Sequence, residues 1–466
     1  MKILFTQDAL INAGTERSNL ELISRFSENL EVSVVYFYPR YELKENYLGA
    51  GIRLFFLDIP EKYHLLKGIL RLVQLIKKEK PDLLISSLWR ADIITRIASM
   101  LTGVPLIGTL VNDSYSPIAW TDKKGLKHKF VHWLDRLTAG IPIHWIANAN
   151  VLADSHVKTL GLNREKISVV YRGRPVPVIA RTRYEDEAIS QREHSFNEET
   201  ASAAEDSEVR SNLAVSSLAV TEDVIASDAG AKQSLNDYEL SPEETASASN
   251  SQEIKLGIQE GSLAVTGPIR NFISYGRLLE RKGFQDAIRA FAQVLKTYPD
   301  CTLTIFGEGS YRKDLESLIQ NLGLNGSVFL PGKIDNPSEL LLVQDFGQPK
   351  PEIRNPKSFD CFIFPSWYEG FSGALVEAMM AGIPIIASDI PMNLEAVQSG
   401  KSALVFPVGN WEAMAERMIT AIENPKLMQE LGDQARSVSV QKFDIEVIAK
   451  QYEALLRKIH QQNQKA

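Results

Sequence analysis

The stretch Glu369-Gly-Phe-Ser-Gly-Ala-Leu-Val-Glu377 follows an apolar run, Phe362 to Phe364, that reads as a buried strand, and it ends inside a helical pattern. Strand, loop and helix in that order build parallel α/β sheets. Two carboxylates stand eight residues apart across the loop. Gly370 and Gly373 permit close backbone approach to a ligand, Ser372 occupies an N-cap position, and the unpaired amides of the first helical turn face the same space. Ionised carboxylates only accept hydrogen bonds, which suits vicinal hydroxyls; helix-start amides suit anionic oxygen. With Glu369 in the loop and Glu377 about two turns into the helix, the pair addresses two parts of one ligand, and a polyol phosphate fits. A loop glutamate beside a solvated helix glutamate is the plainer reading of the same residues.

About ninety residues upstream lies Asn271-Phe-Ile-Ser-Tyr-Gly-Arg-Leu-Leu-Glu-Arg-Lys-Gly283. An apolar strand, Phe272 to Ser274, leads into Gly276-Arg277, and Lys282-Gly283 opens the next helix. Arginine offers a planar fork and lysine a point charge, the pair expected around a diphosphate leaving group. Loop cations are usually solvated, but the carboxyl end of a strand is where open α/β sheets bind ligands.

These residues, with Gly307-Glu-Gly309 after a further strand, resemble a family 4 glycosyltransferase of the GT-B type, over about 1 to 175 and 268 to 460. The resemblance implies an α/β chain of two doubly wound, Rossmann-like domains facing a central cleft. It implies a retaining hexosyltransferase-type enzyme that moves a sugar from a nucleotide sugar to a hydroxyl of a glycan or lipid-linked acceptor in polysaccharide biosynthesis; with no Asp-x-Asp signature in the chain, metal-independent catalysis is expected. Arg277 and Lys282 would hold the diphosphate, Glu369 would contact the transferred sugar, and Glu377 would bind the ribose. The amides of Gly370, Phe371, Ser372, Gly373 and Ala374, with Gly276, Gly307 and Gly309, would complete the donor site. No cofactor is implied beyond the nucleotide sugar itself. A non-catalytic sugar-nucleotide or glycan-binding protein of the same fold is the alternative.

The 466 residues exceed the size at which single cores stop growing. Expected boundaries are 1–178 for the acceptor-side domain, 269–444 for the donor-side domain, and 445–466 for a last helix returning to the first. Strands are read at Ile3 to Thr6, Val32 to Phe37, Leu83 to Ser86, Leu106 to Thr109, Trp145 to Ala147 and Ser168 to Tyr171, with helices such as Ser18 to Asn29 and Leu66 to Lys78. The second half repeats the rhythm at Phe272 to Ser274, Leu303 to Phe306, Val328 to Leu330, Phe362 to Phe364, Pro384 to Ala387 and Leu404 to Phe406. Between the halves, 181–268 carries 18 acidic against 6 basic residues and almost no aromatics, so it reads as a disordered insertion, with a partner-docking segment as the alternative. A second insertion spans Gln344 to Lys357. Without 181–268 the net charge of -7 becomes mildly positive, which suits anionic donors and membrane surfaces.

The third glycine of a dinucleotide fingerprint would fall at Arg312, which disfavours a nicotinamide enzyme. On the acceptor side, Gly14 stands where the family has two adjacent glycines, and Asn112 or Asp113 stands where many members have a histidine. No catalytic base is assigned. Lys123 to Arg136 is a basic and aromatic run, and both an interfacial helix on anionic lipid and a packed helix with a solvated basic face explain it. His128 and His132 read as surface or packing residues. Two cysteines, Cys301 and Cys361, read as buried hydrophobes in a reducing compartment. No export signal, spanning segment, metal signature or nucleic-acid-binding pattern is evident. The expected location is cytoplasmic, with peripheral contact at the inner membrane face.

Overall fold

The computed structural model describes residues 1–60, 64–117, 126–177, 269–341 and 359–465. The stretches 181–268, 344–357 and 123–125 lie outside the described residues. Met1–Pro177 and Ser262–Ala466 form one compact unit, and it holds two parallel sheets.

The first sheet contains β1 (Lys2–Gln7), β2 (Glu31–Tyr36), β3 (Arg53–Phe56), β4 (Leu83–Ser86), β5 (Leu106–Leu110), β6 (His144–Ala147) and β7 (Ile167–Val169), in the order β3-β2-β1-β4-β5-β6-β7. The second contains β8 (Asn271–Tyr275), β9 (Thr302–Phe306), β10 (Val328–Gly332), β11 (Cys361–Phe364), β12 (Ile385–Ser388) and β13 (Leu404–Phe406), in the order β10-β9-β8-β11-β12-β13. Central strands such as β4 and β11 are buried at every residue because helices cover both faces. The two-residue period divides their side chains: Phe272, Cys361 and Ile363 join one apolar cluster, and Ile273, Phe362 and Phe364 join the cluster on the opposite face. Both cysteines are buried and free.

Two expectations from sequence are corrected. β3 is an additional edge strand, short and with Arg53 and Phe56 exposed, so its apolar signal is weak. The first helix spans Gly14–Ile23, not Ser18 to Asn29. Its expected last turn leaves the helix because the Ser27 amide and hydroxyl donate to Glu453, at 3.0 and 2.7 Å.

Glu453 belongs to the last helix, Ile445–Lys465, whose Ile448, Tyr452 and Leu456 pack into the first-sheet cluster with Ile3 and Phe5. The chain therefore crosses between the sheets twice, and the crossings touch: Arg174 N donates to Phe443 O at 2.9 Å, and Ile445 N donates to Arg174 O at 3.0 Å. A further bond system spans the sheets. Glu395 accepts from the amides of Asn150 and Val151 at 2.9 and 2.5 Å, capping the helix Asn150–Leu160, whose own Ala149 has no capping side chain.

Each sheet has a switch point where strand order reverses, between β1 and β4 in the first and between β8 and β11 in the second. Crevices at the carboxyl ends of such strands are the natural ligand sites of open parallel sheets.

Candidate active site

One cavity of about 520 Å³ is lined from both switch points, within the roughly 300–1,000 Å³ range of small-molecule sites. Loops after β1, β4, β5 and β7 form one wall, and those after β8, β9, β10 and β11 form the other.

Of the residues expected from sequence, Gly276, Arg277, Lys282, Gly307, Glu369, Gly370, Phe371, Ser372, Gly373, Ala374 and Glu377 line the second-sheet wall, and Gly14 and Asn112 line the first-sheet wall. Gly309 and Asp113 are not on the wall. A Cβ at Gly309 would lie 2.1 Å from Leu278 O, so this glycine admits a neighbouring loop, not a ligand. Asp113 accepts from the Ser155 hydroxyl at 2.7 Å.

The carboxylates are held before any ligand arrives. Glu369 is bonded by Lys282 and, at 2.7 Å, by the Ser366 hydroxyl. Burial opposes its ionisation, yet Lys282 and Ser366 together keep the carboxyl below its ordinary range. Glu377 accepts from Arg174 Nε at 2.7 Å and from the Tyr275 hydroxyl at 2.9 Å. Burial and the adjacent Glu377 push the Tyr275 phenol well above its usual value, so it remains a donor. Arg277 points to the cavity with no ion-pair or hydrogen-bond partner for its guanidinium among the described residues.

Three local expectations change. The helix spans Gly373–Ala381, so Glu377 lies just over one turn in, not two. Ser372 is the N-cap residue but its side chain makes no capping bond. The space at the loop glycines is filled by protein: a Cβ at Gly370 would lie 2.3 Å from Val111 O, and one at Gly373 would lie 1.9 Å from Arg174 Nη2.

Arg172 and Arg174 were not singled out from sequence. Tyr171-Arg-Gly-Arg174 follows β7 as Arg277 follows β8, and that parallel is the signal that could have found them. Burial and the neighbouring Arg174 pull the Arg172 pKa down to about 10. Glu16, from the charged first turn of the helix Gly14–Ile23, is buried against the cavity, and desolvation raises its carboxyl to about 7. Arg17 spans the cleft, donating to Asp335 O and Asn336 Oδ1, each at 3.0 Å.

The family model described as Glycosyltransferase Family 4 matches residues 13–176, and that described as Glycosyl transferases group 1 matches residues 270–438. With two parallel-sheet domains meeting at such a cleft, the chain belongs to the family 4 glycosyltransferases of the GT-B fold. An uncharacterized glycosyltransferase of Methanocaldococcus jannaschii is 35% identical over 118 residues, 25% of each chain. The N-acetyl-alpha-D-glucosaminyl L-malate synthase of Bacillus anthracis is 29% identical over 174 residues, 37% of this chain and 42% of its own. The chain thus spans between a quarter and a half of these curated relatives. Among solved structures, Anabaena HepE in complex with UDP-glucose superposes with a TM-score of 0.67 at 18% identity, covering 98% of this chain and 100% of its own. The lipopolysaccharide outer core galactosyltransferase WaaB, in its apo form, gives 0.60 at 16% identity, covering 98% and 100%. These structural likenesses concern the fold.

Proposed function

We propose that the protein is a retaining glycosyltransferase that moves a hexosyl group from a nucleotide sugar to a hydroxyl of a glycan or lipid-linked acceptor. The convergence of Arg277, Lys282, Glu369 and Glu377 on one cavity carries this reading. The diphosphate meets Arg277 and Lys282, the ribose diol meets Glu377, and the sugar lies against Glu369 and the amides of Gly370 to Ala374. The bond from the anomeric carbon to the diphosphate breaks with its electron pair left on phosphate. The acceptor oxygen bonds to the same face of the carbon, and its proton passes to the departing phosphate oxygen. Preorganised cations stabilise the charge that develops there without reorganising, so the reaction needs neither a metal ion nor a cofactor in this reading. The known co-crystal of HepE with UDP-glucose supports a nucleotide-sugar donor.

A thermal-shift screen across UDP-, GDP- and ADP-sugars tests the donor, since a ligand of the native state raises Tm by mass action. Incubating the stabilising donor, radiolabelled, with a membrane extract then tests transfer. Labelled product is expected; binding with neither transfer nor hydrolysis would leave a sugar-nucleotide-binding protein instead.

The acceptor is read as membrane-derived, met from the cytoplasmic face through the run 123–136. On the helix Leu126–Thr138 the usual pattern is reversed. Asp135 and Thr138 are buried and bonded to Arg96, whereas Leu126, Phe130, Trp133 and Leu137 are exposed at 84%, 60%, 57% and 64%. A stripe of that spacing, with Lys129 and Arg136 exposed beside it, suits the interface of an anionic bilayer. No helix among the described residues is long and apolar enough to cross a membrane. Co-sedimentation with phosphatidylglycerol vesicles, lost in a Phe130→Ser/Trp133→Ser variant, is expected.

A further inference from the structure

Once the diphosphate is assigned to Arg277 and Lys282, one cavity-facing guanidinium has no counterpart. Arg172 projects from the end of β7 beside Gly14, whose hypothetical Cβ would lie 3.5 Å from Arg172 Nη1. Its Nε is fully enclosed and has no hydrogen-bond partner, and no ion pair reaches the guanidinium among the described residues. The cavity acids are engaged elsewhere: Glu369 with Lys282, Glu377 with Arg174. Glu369, Glu377 and Glu16 all lie close enough to influence Arg172 electrostatically, but none makes a salt bridge with it, and Glu16, at a pKa of about 7, supplies only part of a negative charge near neutrality.

Arg172 is half-buried, so its Nη atoms keep contact with solvent, but an Nε shut off from water without a partner is costly, and Arg174 alongside adds like-charge repulsion. Such a group is stable where a ligand completes it. Asn12, Gly14 and Asn112 line the same first-sheet wall. Hydroxyl recognition fits those amides, and a planar fork fits a carboxylate or phosphate bidentately.

We propose that Arg172 reads an anionic group on the acceptor, so that the acceptor is a hydroxy acid or a phosphate-bearing polyol and not a neutral sugar. This rests on the donor assignment above. Its consequence is a division of cations by substrate: Arg277 and Lys282 for the donor, Arg172 for the acceptor. Arg174 serves neither directly and positions Glu377.

The test is calorimetric titration of D-glycerate, sn-glycerol 3-phosphate, dihexanoyl phosphatidylglycerol and, as neutral control, glycerol into the full-length protein saturated with UDP, or with GDP or ADP if one of those gives the larger thermal shift. The wild type is expected to bind a soluble carboxylate or phosphate, or the lipid phosphate, and not glycerol; which arm binds identifies the source of the anion. Arg172→Gln should weaken that anion about tenfold or more, with nucleotide affinity shifted by less than about twofold, and Arg172→Lys should fall between, since charge survives but the fork does not. Arg277→Gln should show the opposite split. A wild-type Tm in Arg172→Lys guards against misfolding. If Arg172→Gln weakens nucleotide as much as anion, the guanidinium belongs to the donor diphosphate and the proposal is overturned. Nucleotide binding with no anion binding in any arm overturns this inference alone; failure of all three nucleotides to bind overturns the donor reading beneath it as well.

Discussion

The two walls of the cleft are built differently. On the second-sheet wall, Glu369 and Glu377 are each fixed by a cation and a hydroxyl. On the first-sheet wall, Glu16 is buried and Arg172 half-buried with its Nε enclosed, and neither makes a salt bridge among the described residues. One side is preorganised for a constant ligand and the other is completed by whatever enters. In the proposed reading the pre-set wall takes the donor, whose diphosphate and ribose stay the same whatever the sugar, and the first-sheet wall, with Asn112 and a single Gly14, takes the varying acceptor.

The sharpest break of this contrast is Arg277→Ala. Loss of one preorganised donor at a developing charge costs about 10²–10³ in rate, so kcat/KM for transfer should fall on that scale while Tm stays near wild type. Unchanged turnover with donor saturating would remove Arg277 from the reaction.

Next in size is Gly373→Ala. Its Cβ would stand 1.9 Å from Arg174 Nη2, displacing the arginine that holds Glu377. Overpacking of this kind costs about 1–3 kcal/mol, and nucleotide affinity should fall with stability. A variant with unaltered nucleotide affinity would show that the Arg174–Glu377 pair plays no part on the donor wall.

Glu16→Gln sharpens the other wall. Burial favours the neutral acid in the folded state, so between pH 4.5 and about 7 the native protein holds a proton the unfolded chain has released. This contribution to stability falls as pH rises through that window and is flat above it. The wild type should therefore lose more Tm from pH 5 to pH 8 than Glu16→Gln does. Identical slopes would mean that Glu16 is solvated.

The smallest effect is expected from Arg17→Ala. Its bonds to Asp335 O and Asn336 are exposed, and contacts of that kind contribute up to about 1 kcal/mol. Chemical denaturation should show a shift no larger, and a loss of several kcal/mol would make Arg17 a lock between the sheets.

Most strands were legible because parallel strands covered on both faces read as apolar runs, as in Leu83–Ser86 and Ile385–Ser388. The edge strand Arg53–Phe56 was not, since half of its signal faces water. The cavity residues expected from sequence were legible because they lie on the loops and helix starts that follow strands. What the sequence hid is tertiary: Gly370, Gly373 and Gly309 resemble ligand-approach glycines, yet Val111, Arg174 and Leu278 occupy that space. Only the fold brings residues 111 and 370 together. Arg172 and Arg174 were not singled out because they begin a crossover whose partner, Phe443–Ile445, lies some 270 residues away.

The most direct test of the donor assignment is a structure of the protein bound to whichever nucleoside diphosphate most raises its Tm. The expected result is a diphosphate against Arg277 and Lys282, with the ribose diol on Glu377. A nucleotide bound elsewhere, or in the cleft with its phosphates on Arg172 and away from Arg277, would contradict it.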